Sequence, residues 1–349
     1  MPSWRRSPCG SVDLYLLCGV ILALLAGIVS AHAPIGVGSN EEIANATLIP
    51  DPAKSYVLYT ELHEGGEAQY YRFSLKSGQR LYGSLQVPGP DSMVPDLVII
   101  GPGIAPSGNV PRFVQVPGGS GAMVIPGHAP GIPSYEPFTP QPIYEVARFN
   151  ETVSQDGDYY VAVYGPEGGK YSLAPGYVEE FTVAEWLLIP WSVISIHLWE
   201  GQPPAYIFAP LAVVVIIGGL GLLVLSRRRR GSMPGLAGWL ILLAGLLYLG
   251  GAGMTGLQTI HAVLLTGFTV EVLLTLLFIA GPLLLGIYAI YRGVRPAGRA
   301  PSLRNGAGMI LVGLLGLLLW AGLLIGPVLA LGGGLLLMAR HFERTGPAR

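Results

Sequence analysis

Residues Tyr206–Arg230 read YIFAPLAVVVIIGGLGLLVLSRRRR, an apolar run of about 20 residues closed by a block of arginines. A helix of that length crosses the ~30 Å hydrocarbon core of a bilayer. Positive charge beside a span is retained in the cytoplasm. The residues that set this topology are Arg227, Arg228, Arg229 and Arg230. The stretch therefore predicts a first span at 205–226 and places residues 32–204 outside.

The charge of the chain is divided at the same place. Residues 32–200 carry 18 Asp and Glu against 7 Lys and Arg, whereas the rest of the chain carries 3 against 13. The chain is 51% hydrophobic and only 12% charged, which is unlike a soluble protein. This pattern predicts an acidic exported half and a basic, apolar half in the membrane.

The N-terminus has the three parts of a secretory signal. Arg5 and Arg6 precede an apolar run, Leu14–Val29, that ends in small residues. We expect a signal peptide over 1–31 with cleavage after Ala31, the alternative being an uncleaved signal anchor. Cleavage would remove both cysteines of the chain, Cys9 and Cys18.

Further apolar runs predict a multi-pass protein of the plasma membrane. The run 306–339 is too long for one span, and Gly326-Pro327 within it favours a helical hairpin that returns the C-terminus to the cytoplasm. The predicted segments after the sandwich are an interfacial Trp-rich collar at 181–204, spans at 205–226, 236–255, 267–291, 306–324 and 326–341, and a cytoplasmic tail at 342–349.

The outer half, 32–180, shows short strand patterns separated by Gly-containing turns. Tyr70–Leu75 and Leu81–Val87 flank one turn, and Tyr159–Tyr164 and Tyr171–Leu173 flank another. This pattern predicts an all-β, antiparallel extracellular sandwich. A Pro- and Gly-rich insertion, 101–142, is predicted to be mostly loop, and it serves either binding or spacing. Short strands are predicted within it at Val114–Val116 and Ala122–Ile125.

Two stretches, EAQYYRFSLKSGQRLYGSL at 67–85 and GDYYVAVYGPEGGKYSL at 157–173, resemble the opening and closing strands of the bacterial pre-peptidase C-terminal domain. The resemblance covers about a third of the outer half and implies a small extracellular β-sandwich. The family often carries Asp-x-Asp before its central strand, where this chain has only Asp96. The membrane half resembles no family.

Metal binding is the main alternative chemistry. An N-terminal His32 could hold copper through its amino group and its ring, with a second imidazole from His63, His128 or His197. Within the membrane half, Glu271 and His261 are candidates for an intramembrane polar site, although Glu271 could equally lie in the headgroup region. Two sequons, at Asn45 and Asn150, could accept sugar outside the membrane.

No catalytic motif is complete. His63-Glu64 lacks the second histidine of a zinc protease helix, and Gly119-Ser120-Gly121 lacks the spacing of a nucleophile elbow. We therefore expect a membrane-anchored surface protein whose sandwich is a binding or interaction module, with no enzyme activity and no cofactor. Its expected partners are the lipid bilayer and other envelope proteins or surface glycans, and not nucleic acid. The alternative is a copper-handling or ion-transport protein.

Overall fold

The computed structural model describes residues 33–34, 36, 38–228, 234–294 and 302–345. The described part of residues 32–180 forms eleven strands. They are β1 (Ala33–Pro34), β2 (Thr47–Leu48), β3 (Tyr56–Leu62), β4 (Ala68–Leu75), β5 (Arg80–Val87), β6 (Asp96–Gly101), β7 (Gly121–Ile125), β8 (Ser134–Glu136), β9 (Gln141–Thr152), β10 (Gly157–Tyr164) and β11 (Gly169–Pro175). The predicted signal peptide, including His32, lies outside the described residues.

These strands make two sheets. One has the order β1-β3-β11-β5-β9-β8 and the other the order β2-β4-β10-β6-β7. All pairs are antiparallel except β1 with β3 and β2 with β4. Both sheets bury apolar side chains in one shared core, for example Phe73 and Val161 from one sheet and Leu85 and Leu173 from the other. The predicted two-sheet, mainly antiparallel β domain is confirmed.

The insertion is more ordered than its composition indicated. Ala122–Ile125 lies in β7 as predicted, but Val114–Val116 forms no strand. The Val114 N–H instead closes a turn on the Pro111 carbonyl, and Pro117 follows immediately. The Gln115 N–H donates to the Tyr70 hydroxyl, and Pro117 has no N–H for a ladder, so no strand forms here. Further on, β8 pairs with β9 and continues the larger sheet.

The rest of the chain is helical. The helices are α1 (Val183–Trp199), α2 (Pro204–Arg228), α3 (Leu236–Thr266), α4 (Val272–Gly293), α5 (Leu303–Leu318) and α6 (Ile325–Thr345). Four stretches within the described residues are long and apolar enough to cross a membrane, Pro204–Leu225, Leu236–Thr266, Val272–Gly293 and Ala321–Arg344, whereas α5 has only 16 residues. The helical region is therefore that of a multi-pass membrane protein.

Two helix ends differ from the predicted segment bounds. The second long helix, α3, continues beyond 255 to Thr266, because its polar residues Gln258 and Thr259 are buried against neighbouring elements. Gly267 then ends the helix with a φ of 78°, a conformation that glycine adopts without steric cost. As a result α4 begins at Val272, and residues 267–271 form a loop.

Consecutive helices pack antiparallel with small residues at their crossings. Gly245 in α3 meets Gly286 in α4 so closely that a Cβ on either would lie 2.9 Å from the carbonyl oxygen of the other. Gly306 in α5 and Gly334 in α6 make the same reciprocal contact, also at 2.9 Å. Glycine at such crossings lets two backbones approach, as is common between helices in membranes.

The run 306–339 forms the antiparallel pair α5 and α6. The turn between them lies at 319–324, ahead of Gly326-Pro327. It contains three non-glycine residues with left-handed backbone, Trp320, Leu323 and Leu324, with φ of 53°, 56° and 65°. Such residues are uncommon and costly unless their surroundings hold them in place. The conformation of this turn therefore depends on the residues packed around it.

The helical region has two chemically different ends. Basic residues lie at one end: Arg227 closes α2, Arg292 lies in the last turn of α4, and Arg344 in the last turn of α6. Arg292 also donates to the Asn305 side chain, which brings the start of α5 to this end. The β domain contacts the opposite end, where Tyr135 of β8 donates to Thr275 in the first turn of α4.

Candidate functional site

The β domain is docked onto the helices rather than merely tethered to them. Phe138, in the loop between β8 and β9, packs edge-on against Phe278 of α4 and against Trp320, with ring centroids 5.7 and 5.8 Å apart. Beside it, the Tyr135 hydroxyl donates to Thr275 Oγ1 at 2.8 Å, and Thr275 donates to the Pro137 carbonyl at 2.7 Å. The β8–β9 loop therefore inserts among the helices.

Helix α1 strengthens the same junction. It begins with a capping box in which Thr182 and Glu185 satisfy each other's backbone N–H groups. Glu185 also binds Lys54 of the β domain, with an Nζ to Oε1 distance of 2.8 Å. At the far end of α1, the Trp199 indole donates to the Thr60 carbonyl at 3.0 Å. The segment predicted as a collar thus bonds to the β domain at both of its ends.

A large groove opens along this junction. Its volume is about 910 Å³, and it lies between the larger sheet and the α3–α4 loop. Tyr82, Ser84 and Tyr177 line it from the β domain, and Val270 and Leu274 line it from the helical region. Clefts of several hundred Å³ between two structural units are common sites of ligand binding.

The groove is acidic. Its ionisable residues are Glu136, Glu145, Glu179, Glu271 and Arg148. Arg148 is paired with Glu145 through an Nη2 to Oε2 distance of 2.6 Å. Burial raises the pKa of Glu136 to about 8, so this carboxyl is neutral near pH 7. Hydrogen bonding to its own backbone lowers the pKa of Glu271, which therefore stays charged. At neutral pH the charged carboxylates outnumber the guanidinium three to one.

A second recess lies deeper, between the β8–β9 loop and the helices. This cavity has a volume of about 70 Å³ and is lined mainly by apolar residues such as Ile194, Met254 and Phe278. His197 also lines it and is only 1% exposed. Its Nδ1 lies 2.8 Å from Glu200 Oε2. Gln202 bonds Glu200 at 3.2 Å and exchanges hydrogen bonds with Gln258 at 2.6 and 3.1 Å.

The predicted copper ligands are not brought together in the described part of the chain. His32 itself lies outside it, but its neighbour Ala33 pairs with Tyr56, at the start of β3. His63 follows the far end of that strand, roughly 23 Å away at the rise of a strand. His128 follows β7, on the edge of the other sheet, and its N–H donates to the Val146 carbonyl at 2.8 Å.

His63 has other neighbours. One ligand atom each from Glu41, His63 and Glu67 lie within 4.8 Å of one another, so the three could hold a metal ion. Glu67 Oε2 already accepts from the His63 backbone N–H at 2.7 Å, and Glu41 Oε2 accepts from Ser39 at 2.7 Å. This set of one imidazole and two carboxylates differs from the all-histidine copper site predicted from the sequence.

Glu271 and His261 lie on different surfaces. Glu271 precedes α4 as its N-cap and faces the groove, outside the helix. His261 is exposed on α3, with its ring 6.4 Å from that of Tyr206 on α2. Among the described residues, Gln258 is buried in the helical region and exchanges hydrogen bonds with Gln202.

The other predicted residues are on the surface. Asn45 and Asn150 are both exposed, and the Asn150 side-chain oxygen accepts from Arg80 at 2.9 Å. Arg227 is exposed at the end of α2, where Arg228 is the last helical residue. Arg229 and Arg230 lie outside the described residues.

Sequence reasoning singled out Glu271 but missed the groove acids Glu145 and Glu179. It considered His197 only as a copper ligand and missed the bonded group that His197 forms with Glu200. Glu145 and Glu179 lie on segments far apart in sequence from Glu271, so nothing local connects them. A signal did exist for the second group. His197 lies in the last turn of α1, and Glu200 and Gln202 follow in the short break before α2, so three polar residues stand between two apolar segments. Side chains there are placed at the junction of the two halves.

Comparison with known proteins gives no family. No protein-family model matches the chain, and no curated protein matches it in sequence.

Proposed function

We propose that this multi-pass membrane protein presents its β domain outside the plasma membrane as a binding module. The proposed ligand is a basic segment of another envelope protein, held in the acidic groove. The observation that carries the proposal is the groove itself, with its three charged carboxylates beside the start of α4. The chain carries no complete catalytic motif, so we propose binding rather than catalysis.

The orientation is supported by charge. Arg227, Arg292 and Arg344 are at the end of the helical region away from the β domain. Arginine and lysine next to spans are retained in the cytoplasm, so the β domain would be outside and the C-terminus inside. With α5 and α6 as a hairpin, five helices would cross or enter the bilayer. The exposed sequon residues Asn45 and Asn150 lie on the same outer side.

The resemblance to the pre-peptidase C-terminal domain supports the same role. The two signature stretches form β4 with β5 and β10 with β11. Each of these two consecutive strand pairs contributes one strand to each sheet, since β4 pairs with β10 and β5 pairs with β11. The strands that carry the resemblance are therefore neighbours in the fold. That family consists of small extracellular β-sandwiches, which agrees with an exported domain without catalytic residues.

A basic protein segment fits the groove for two reasons. Lysine and arginine side chains complement the carboxylates of Glu145, Glu179 and Glu271 and reach about 6 Å into a recess on an apolar stem. Tyr82 and Tyr177 are aromatic faces in the same groove, and Arg80 already lies 5.3 and 5.0 Å from their ring centres. Cations are attracted to such faces.

The groove is favoured over copper handling. A copper brace requires two imidazoles close together, and the part of the chain seen in the structure offers His63 with two glutamates instead. The groove joins both halves of the protein, whereas the His63 group is on the surface of the β domain.

The experiment uses full-length protein in nanodiscs of zwitterionic lipid, with a fluorescent hexalysine peptide as probe. We expect saturable binding that weakens with salt, as for any exposed charge pairing. The triple variant E145Q/E179Q/E271Q should bind about tenfold more weakly, since exposed charge pairs contribute roughly 0.2–1 kcal/mol each.

The matched control is E42Q/E64Q/E167Q, which removes the same charge at exposed positions away from the groove. It should keep at least half of the wild-type affinity. Equal losses in the two triple variants would show that the peptide senses only total charge. Absence of binding to the wild type would exclude a basic segment as the ligand.

A further inference from the structure

The inner cavity contains two buried polar atoms that need a partner. Among the described residues, His197 Nε2 and Trp320 Nε1 make no hydrogen bond, and both atoms are inaccessible to solvent. Both residues line the same cavity. Leaving a buried polar atom without a partner is unfavourable, and native structures seldom do so. An occupant of the cavity that bonds to both atoms would remove this cost.

The chemistry of the two atoms is complementary. The Glu200 carboxylate, 2.8 Å from His197 Nδ1, accepts a hydrogen bond from the Nδ1–H group and so favours the tautomer with its proton on Nδ1. In the neutral imidazole Nε2 is then an acceptor. The indole Nε1 of Trp320 can only donate. A ligand must therefore offer one donor and one acceptor.

Both side chains are held in place by their surroundings. The Trp320 ring stacks on Phe278 at 4.5 Å and 13°, and its backbone has the left-handed φ of 53°. His197 is fixed by Glu200, which is itself bonded by Gln202. Rigid, preorganised polar groups in an otherwise apolar recess are typical of small-molecule sites. Unusual backbone at such a place often marks a functional site.

We infer that the cavity binds a small apolar alcohol or the hydroxyl end of a larger apolar molecule. The ligand oxygen accepts from Trp320 Nε1, its O–H donates to His197 Nε2, and the carbon chain contacts residues such as Ile194 and Met254. The cavity volume of about 70 Å³ exceeds the ~15 Å³ that one water molecule needs. This site is separate from the acidic groove, and the inference does not depend on the proposed function.

The test observes the Trp320 indole directly. Full-length protein in nanodiscs is labelled with ¹⁵N at its six tryptophan side chains, and the spectrum of W320F assigns the Trp320 resonance. We expect 1-hexanol to shift that resonance downfield and saturably, because a new hydrogen bond forms at Nε1. Hexane, which enters the lipid equally but lacks the hydroxyl, should produce no saturable shift.

The variant H197F removes the acceptor but keeps an aromatic ring. It should weaken hexanol binding about tenfold, whereas H261F, on the exposed face of α3, should not. The indoles of Trp186 and Trp199, which donate to the Leu318 and Thr60 carbonyls, report whether each variant is folded. If H197F unfolds, W320F provides the second measurement, followed through Trp186 beside it.

Three results would overturn the inference. One is the same shift with hexane as with hexanol, which would indicate only apolar filling. Another is no saturable shift with either, which would mean that water alone fills the cavity. The third is unchanged hexanol affinity in a folded H197F.

Discussion

Glu136 is a carboxyl group that the fold separates from water. It is 7% exposed, at the end of β8, and its Oε1 accepts from the Phe138 backbone N–H at 3.3 Å. Burial disfavours the ionised form and raises its pKa to about 8 from an ordinary value of 4.5. The folded protein therefore retains this proton at pH values where the unfolded chain has lost it.

This shift predicts a pH dependence of stability. Since the folded state binds the extra proton, stability should fall as pH rises from about 4.5 to about 8 and stay level above that. The variant E136Q keeps the acceptor and cannot ionise. The free energy of unfolding of E136Q relative to that of the wild type should therefore increase by on the order of 2–4 kcal/mol between pH 5 and pH 9.

Thermal unfolding of both proteins in nanodiscs at several pH values measures this difference. E64Q, a change at an exposed glutamate, serves as the control and should track the wild type at every pH. A difference between E136Q and wild type that is the same at pH 5 and pH 9 would refute the raised pKa.

At the level of single residues, the sequence predicted which side chains are exposed better than it predicted which side chains bond to each other. Asn45, Asn150 and Arg227 are on the surface, as expected for sequons and a charged helix end. His197 was one histidine among several until the fold placed Glu200 and Gln202 beside it. The bond from Gln202 to Gln258, 56 residues further along the chain, depends on where two segments meet, and no local pattern encodes that contact.

At the scale of elements, local pattern was informative. Alternating side chains predicted the strands around Tyr70–Leu75 and Tyr159–Tyr164, and long apolar runs predicted the helices, because both depend on neighbours in sequence. Helix ends were less predictable. The end of α3 is set by Gly267, and the turn before α6 by packing around Trp320, which involves residues more than 40 positions away.

Packing of α3 on α4 offers a direct test. G245A places a methyl group 2.9 Å from the Gly286 carbonyl oxygen and 2.7 Å from an Ile290 side-chain carbon, so the helices must separate. We expect a loss of about 1–3 kcal/mol, typical of overpacking. G256A, in the same helix, meets nothing within 4 Å and should be neutral or slightly stabilising.

Reversible unfolding in mixed micelles gives both values. Both substitutions change helix propensity in the same way. The difference in stability between G245A and G256A therefore measures the effect of the added methyl group at the crossing of α3 and α4. Equal stabilities for G245A and G256A would contradict the close approach of the two helices.

At the scale of the whole molecule, the division into a β domain and an apolar helical region was predictable from composition and charge. The docking between them was not. Phe138 lies in a Pro-rich stretch that reads as loop, yet its ring contacts Phe278, which is 140 residues further along the chain. Contacts of that separation arise only once both halves have folded.

Orientation across the bilayer is tested with two variants that each carry a single cysteine. E64C lies on the β domain and E343C near the end of α6, and both positions are exposed. In cells, with Cys9 and Cys18 replaced by serine, a membrane-impermeant maleimide should label E64C directly. E343C should react only after permeabilisation, because the proposed topology places it in the cytoplasm.

The opposite labelling pattern would reverse the proposed orientation. Labelling of both positions in intact cells would instead place the C-terminus outside. The α5–α6 pair would then not return the chain to the cytoplasm.

The insertion of the β8–β9 loop among the helices has one more consequence. Because Phe138 and Tyr135 hold the β domain directly on α4, the groove stays at a fixed height beside the α3–α4 loop. The module cannot reach outward like a domain on a flexible stalk. Under the proposed orientation, encounters would occur mainly by lateral diffusion in two dimensions, so abundance per unit of membrane area would govern occupancy.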